Sequence, residues 1–267
     1  MLSPDEAQCE VDADCADRGF AGATCVDGIC SAGTGGGGDP VWGCLGNVVE
    51  PTPDTTQTVA LSVRLAFASG GEPLDGGTVD FCDKLDVECT STSPDFPKNL
   101  VPDANGVVTA NVKQGFDGFA RITHPDIVPS RIYVGRPIVN VPKVKEIQLL
   151  RPSEYSALAN IAMGTVDPMR GTAIILVVDC KGDSGAGVHF ETPSADGQTL
   201  SFYLINQAPV ASANATDRDG FGGFFNLPPG STLARASLAA DNTYVGESSF
   251  EIRAGTISYV QIAPTPQ

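Results

Sequence analysis

Two stretches of this chain repeat one another, and any fold has to accommodate both. Val101 to Gly115 (VPDANGVVTANVKQG) and Ala215 to Gly230 (ATDRDGFGGFFNLPPG) each carry an Asp, two residues, a Gly, an extended run and a further Gly. Asp and Asn side chains bond their own backbone, and Gly accepts positive φ. Asp103-Ala-Asn-Gly106 and Asp217-Arg-Asp-Gly220 are therefore read as tight turns that each enter a strand. Upstream of each lies a second echo, a Gly-rich turn (Gly70, Gly71, Gly76, Gly77; then Gly182, Gly185, Gly187) leading into Val79-Asp-Phe81 and Val188-His-Phe190. The two turns stand 114 positions apart, too far for a solenoid repeat and about the length of a domain. The reading is one β module used twice.

The rest of the chain agrees with that reading. Val59, Leu61, Val63, Leu65 and Phe67 alternate with smaller or polar residues, the period of a strand with one face on a core. Further strands are expected near 78–82, 106–112, 117–123, 131–134 and 144–150. In the second half they are expected near 172–179, 187–191, 200–205, 221–227, 232–239, 244–253 and 256–263. The first of these, TAIILVVD, is apolar enough for a central strand. Thirty Gly and twenty Pro punctuate the runs. One helix is expected, Pro152 to Met163, with Pro in its first turn, Glu154 near its positive end, apolar Tyr155, Leu158 and Ile161, and Gly164 beyond. The fold class is mainly β: two tandem antiparallel sandwiches with one linking helix and a small disulfide-stapled N-terminal segment. The expected divisions are 1–39, 40–150 and 151–267.

Eight cysteines, four of them between Cys9 and Cys30, point to disulfides formed in an oxidising compartment. Residues 1–39 hold almost no large apolar side chains, so they need such bonds to hold a shape. Gly33 to Gly38 reads as a flexible linker. Export is expected, yet Met1 to Asp5 has neither the basic start nor the apolar run of a signal peptide, so a leader is expected to have been removed. No window reaches the length of a membrane span, and membrane attachment is expected only through a lost N-terminal anchor. The net charge of −16 disfavours nucleic acid and anionic lipid surfaces.

Two resemblances follow from these residues. The Cys9, Cys15, Cys25, Cys30 spacing, with Asp-Gly before the last Cys, resembles the small cysteine-rich, Dickkopf-like repeats at the start of many exported bacterial lipoproteins. That resemblance implies the pairs Cys9–Cys25 and Cys15–Cys30. In the body, Cys82 and Cys89 are near enough in sequence to close a small loop, which leaves Cys44 for Cys180; four cysteines allow three pairings. The Gly-rich turn before Val-x-Phe, the Thr/Pro-Asp-x-x-Gly turn, the extended run and the Pro-Gly or Gln-Gly bend resemble the carboxypeptidase regulatory-like domain, twice over within residues 57–265. The resemblance implies a transthyretin-like (prealbumin-like) sandwich and an accessory, binding or spacer role, with no catalytic residues to carry over.

Several constellations invite chemistry. Cys180-Lys-Gly-Asp-Ser184-Gly-Ala-Gly187 looks like the nucleophile motif of trypsin-type proteases, but the only histidines are His124 and His189, neither in that family's context. His189 lies between Val188 and Phe190 and is expected to face solvent. The N-terminal acids (Asp5, Glu6, Glu10, Asp12, Asp14, Asp17, Asp27, Asp39) offer hard oxygens for calcium or a solvated face, and the full calcium-loop spacing is missing. Two isolated histidines supply neither a zinc set nor the iron set of intradiol dioxygenases. Collagen-adhesin B-type domains join Lys to Asn covalently, but Arg64 stands where that Lys would be wanted. Trp42, Phe116, Phe119, Phe221, Phe224 and Phe225 could stack on sugars, although alternation favours the core. Asn214-Ala-Thr216 matches a glycosylation sequon.

The expectation is an exported protein, outer membrane-anchored, periplasmic or extracellular. It is expected to be non-enzymatic, with no cofactor, and to act as a binding or spacer module toward protein or carbohydrate at the cell surface. Two alternatives remain open: a carbohydrate-binding accessory module, and an exported hydrolase using Ser184.

Overall fold

The computed structural model describes residues 9, 11–17, 23–26, 29–32, 41–50, 52–139, 145–162 and 165–266. The N-terminal segment contributes a short helix α1 (Asp12–Asp17) and a hairpin of β1 (Ala23–Val26) and β2 (Ile29–Ala32). The first half of the body follows as β3 (Thr58–Phe67), β4 (Thr78–Asp83), β5 (Val107–Lys113), β6 (Gly118–Thr123), β7 (Ser130–Tyr133) and β8 (Lys145–Leu149). Helix α2 (Pro152–Ile161) leads to β9 (Gly171–Val177), β10 (Val188–Glu191), β11 (Leu200–Ile205), β12 (Ala208–Val210), β13 (Phe221–Leu227), β14 (Gly230–Leu238), β15 (Tyr244–Ile252) and β16 (Ile257–Ile262).

The pairing pattern is the sequence echo made physical. In the first half β3 lies between β5 and β8, while β4, β6 and β7 run side by side; in the second half β9 lies between β13 and β16, while β10, β14 and β15 run side by side. The β11–β12 hairpin occupies the stretch of chain that is an irregular connection between β4 and β5. The echoed turns perform the same task in both halves. The Gly106 carbonyl accepts the Leu65 N–H at 2.8 Å, and the Gly220 carbonyl accepts the Val177 N–H at 2.9 Å. Both glycines have positive φ (75° and 72°), and the Asp103 and Asp217 carboxylates accept the N–H groups of Asn105 and Asp219 at 2.8 Å.

Purely antiparallel pairing was the expectation, and three pairings depart from it. β3 with β8, β9 with β16, and β16 with β7 are parallel. The first two close each half, because the last strand of a half returns beside its first. The third joins the halves: Ile257 to Val260 run alongside Ser130 to Tyr133. One eight-stranded sheet, β12-β11-β13-β9-β16-β7-β6-β4, therefore crosses the whole body.

Alternation along these strands puts a core on each face of that sheet. On one face Phe81, Ile122, Phe225 and Tyr259 pack toward Leu65, Val112 and Leu149 of the β5-β3-β8 sheet and toward α2. On the other, Phe119, Tyr133, Ile175 and Phe224 pack toward Ala234, Val245 and Phe250 of the β10-β14-β15 sheet. Cys44 is bonded to Cys180, tying the segment before β3 to the second half.

Helix α2 has the expected position but a different buried face. Tyr155, Ala159 and Ala162 are buried, whereas Ile161 is 58% exposed and Leu158 is only partly covered. Tyr155 meets Phe225 and bonds Thr172 at 2.6 Å. Its hydroxyl fixes the rotation of the helix, so small alanines rather than Ile161 meet the sheet. The Glu154 carboxylate accepts the Arg151 N–H at 2.7 Å, satisfying one of the open donors of the helix start. Gly164 lies outside the described residues.

Candidate functional site

The Ser184 turn follows β9. Asp179 organises it by accepting the N–H groups of Lys181 (2.7 Å) and Asp183 (3.0 Å) on one carboxylate oxygen. Ser184 is exposed at its end. A serine hydroxyl needs a positioned base, and the His124 ring is engaged by its own neighbours. His124 Nε2 lies 3.0 Å from the Asp75 carbonyl, and its Nδ1 accepts the Asp126 N–H at 3.1 Å. These partners hold Nε2 as the donor. His189 is half-covered rather than solvent-facing, with its side chain 19% exposed and 3.8 Å from Glu191.

The aromatics weighed as a sugar platform are core residues. Trp42, Phe116, Phe119, Phe224 and Phe225 are all buried, and Phe221 is partly so. In the N-terminal segment two acids serve their own backbone: Asp12 accepts the Cys25 N–H at 2.7 Å and Asp14 the Val11 N–H at 3.0 Å. The other acids weighed for calcium lie outside the described residues, except Asp17, whose side chain is not described. Among the described residues no group of three or more His, Cys, Asp or Glu side chains is placed to hold a metal ion. Arg64, where an isopeptide-forming Lys would be wanted, pairs with Glu146 across β3 and β8. In the sequon, Asn214 is exposed, but the Thr216 hydroxyl is buried and donates to the Gly185 carbonyl at 2.9 Å.

Cys9 is bonded to Cys25 and Cys82 to Cys89; the side chains of Cys15 and Cys30 lie outside the described residues. The Cys82–Cys89 loop is clasped by arginines. Arg131 and Arg253 both donate to the Val87 carbonyl (2.8 and 3.3 Å), and Arg121 donates to the Glu88 carbonyl (3.1 Å). Arg131 is buried, with its guanidinium over the Phe119 ring. Burial pushes the Asp80 carboxyl up, and the Arg121 and Asn99 bonds outweigh it and hold the group below its ordinary value.

The concave site in the second half is one the sequence did not reveal. Where β10 ends, a groove of about 610 Å³ opens between the two sheets. Phe190, Phe224 and Leu233 give it apolar walls, and Thr192, Thr199 and Ser201 give it hydroxyls, with Glu191 and Arg235 at the rim. Thr232 accepts the Ser194 hydroxyl at 2.7 Å and lies 2.9 Å from that of Thr192, so the loop leaving β10 is fastened to β14. The same loop is held from below by Arg170, which grips both Asp196 carboxylate oxygens at 2.9 and 2.7 Å. Tyr203 stacks on Phe190 (5.6 Å, 19°) and accepts its backbone N–H at 2.9 Å; burial pushes the Tyr203 hydroxyl up to about 12. The groove is open to solvent, with more apolar than polar lining. Pro193, which interrupts the β10 run, was the one signal in the sequence that could have located it.

No family model matches the chain, and no curated protein matches it. Among solved structures it is similar to the Bacillus anthracis TIE protein, at 14% identity over 78% of this chain and 34% of that one, with a TM-score of 0.27. It is also similar to the shaft pilin SpaA from Lactobacillus rhamnosus GG (12% identity, 79% and 98% coverage, TM-score 0.24). A third is BcpA, the major pilin subunit of Bacillus cereus (14% identity, 78% and 69% coverage, TM-score 0.26). The chain spans about a third of the TIE chain. At such TM-scores the architecture rests on this chain's own strand pairing, and the carboxypeptidase regulatory-like and Dickkopf-like resemblances rest on the residues quoted for them.

Proposed function

We propose that this protein is an exported, non-catalytic structural module of the cell surface or periplasm, a stiff spacer that also presents a binding groove. The observation that carries the reading is the β7–β16 pairing, which makes one sheet of the two repeats. A flexible tandem pair would separate its repeats by a linker, whereas here backbone ladders, a shared core on each face and the Cys44–Cys180 bond all cross the junction. Disulfides favour an oxidising compartment. Against catalysis stands His124, whose two ring nitrogens are taken up by the Asp75 carbonyl and the Asp126 N–H; among the described residues no hydrogen bond joins Ser184 to either histidine.

Two measurements test it together. Small-angle scattering of the protein should fit one rigid body, with no change on adding salt, and serine-reactive fluorophosphonate probes should leave Ser184 unlabelled. Independent motion of the halves would remove the spacer reading. Labelling of Ser184 that disappears on denaturation would make the protein a hydrolase.

A further inference from the structure

The two repeats differ in one respect that bears on partners. In the first, β4 pairs with all of β6, from Thr78 opposite Thr123 to Asp83 opposite Gly118. In the second, β10 pairs with only the last part of β14, from Val188 opposite Leu238 to Glu191 opposite Arg235. Residues 230–234 of β14 continue beyond it, paired with β15 on one side only.

The direction of the free backbone groups follows from bonds at the other end of the strand. Leu238 N–H bonds the Thr243 carbonyl on the β15 side, and Ala239 N–H bonds the Gly187 carbonyl on the β10 side, both at 2.8 Å. Backbone groups alternate along a strand, so the odd-numbered residues of β14 address β10. Ser237 and Arg235 find His189 and Glu191 there. By the same register Leu233 would find Pro193, which has no N–H to give its carbonyl. The ladder stops, and the N–H and C=O of Leu233 and Ser231 are left along the groove. The Leu233 carbonyl has a contact from the Thr232 hydroxyl, at 3.4 Å.

We propose that this edge is a strand-addition site for an extended peptide segment of a partner protein. The segment would run antiparallel to β14 along Leu233 and Ser231, beyond the point where the β10 ladder ends. Side chains on one face of such a strand meet Phe190 and Phe224; those on the other face lie beside Leu233 and Glu191, the latter with its side chain 71% exposed. An alternating apolar and basic segment fits best, because Arg235 on that face is already paired with Glu247, Glu191 is exposed, and the protein's net charge of −16 attracts cations and repels acidic peptides. This inference deepens the binding half of the proposed function and rests on it, while the scattering and labelling results stand independently of its outcome.

The test uses the whole protein and a short acetylated peptide alternating valine and lysine, followed by amide hydrogen exchange and titration. Added peptide should slow exchange at Ser231 and Leu233, and a glutamate-for-lysine version should not. Pro193→Val restores the missing donor, so β10 should extend, Leu233 should become protected without peptide, and affinity should fall by about tenfold or more. Leu233→Pro reaches the same end by deleting the donor on the open side, where no ladder bond is lost. Protection that maps to another edge, such as β5, would overturn the proposal. So would unchanged affinity in both variants. Self-association of the protein that protects Ser231 and Leu233 without peptide would also overturn it, with a second copy of this chain as the occupant.

Discussion

Tyr133 of β7 and Glu251 of β15 exchange two hydrogen bonds across the junction of the repeats. The tyrosine hydroxyl donates to the Glu251 carbonyl at 3.3 Å and accepts the Glu251 N–H at 3.1 Å, linking residues 118 positions apart. Ser258 adds a second donor to the same carbonyl at 2.9 Å. Side chains thereby satisfy the backbone of Glu251 on the outer edge of β15, where a further strand would otherwise bond. Tyr133→Phe leaves the part-buried Glu251 N–H unpaired and should cost about 1 kcal/mol in urea unfolding. The carbonyl keeps Ser258, so Ser258→Ala should cost less alone and more in the Tyr133→Phe background than in the wild type.

Trp42, the chain's one tryptophan, lies buried over Gly185. A Cβ at Gly185 would come within 2.6 Å of its ring. Gly185→Ala should therefore displace Trp42, shift its fluorescence to the red and lower stability by about 1–3 kcal/mol. An unshifted emission maximum would show that the ring has room to yield.

Gly220 and Gly197 form a matched pair of substitutions. Gly220 has positive φ, and a Cβ there would meet the Val177 carbonyl at 2.7 Å; Gly197 has open space around it. Gly220→Ala should destabilise by about 2 kcal/mol or more, and Gly197→Ala by no more than a few tenths. Chemical denaturation of both variants beside the wild type checks the contrast.

Acid should loosen the groove loop. The two bonds from Arg170 hold the Asp196 carboxyl well below its ordinary value of 3.8. A group depressed in the folded state contributes stability above its unfolded pKa and loses it as pH falls through the folded one. Asp217 works in the opposite sense: burial pushes its carboxyl up, so its contribution is greatest when protonated and declines as pH rises through its folded pKa. In Asp196→Asn the fall of the urea midpoint between about pH 5 and pH 2 should be shallower than in the wild type. In Asp217→Asn it should be steeper.

The sequence by itself determined the periodic and local features. Alternation marked β3, the Asp-x-x-Gly turns marked the entries to β5 and β13, and Pro152 marked the start of α2, because each rests on neighbours a few residues away. It also showed that the module occurs twice. Only the tertiary structure decided what those elements touch. A strand's period of two says which residues share a face, but not which strand lies alongside, so nothing local to Ile257–Val260 names Ser130–Tyr133 as its partner. The exposure of Ile161 was likewise invisible, since the Tyr155–Thr172 bond sets the rotation of α2. The open edge at Leu233 exists because Pro193 falls opposite it in the β10–β14 register, and register is a property of two strands at once.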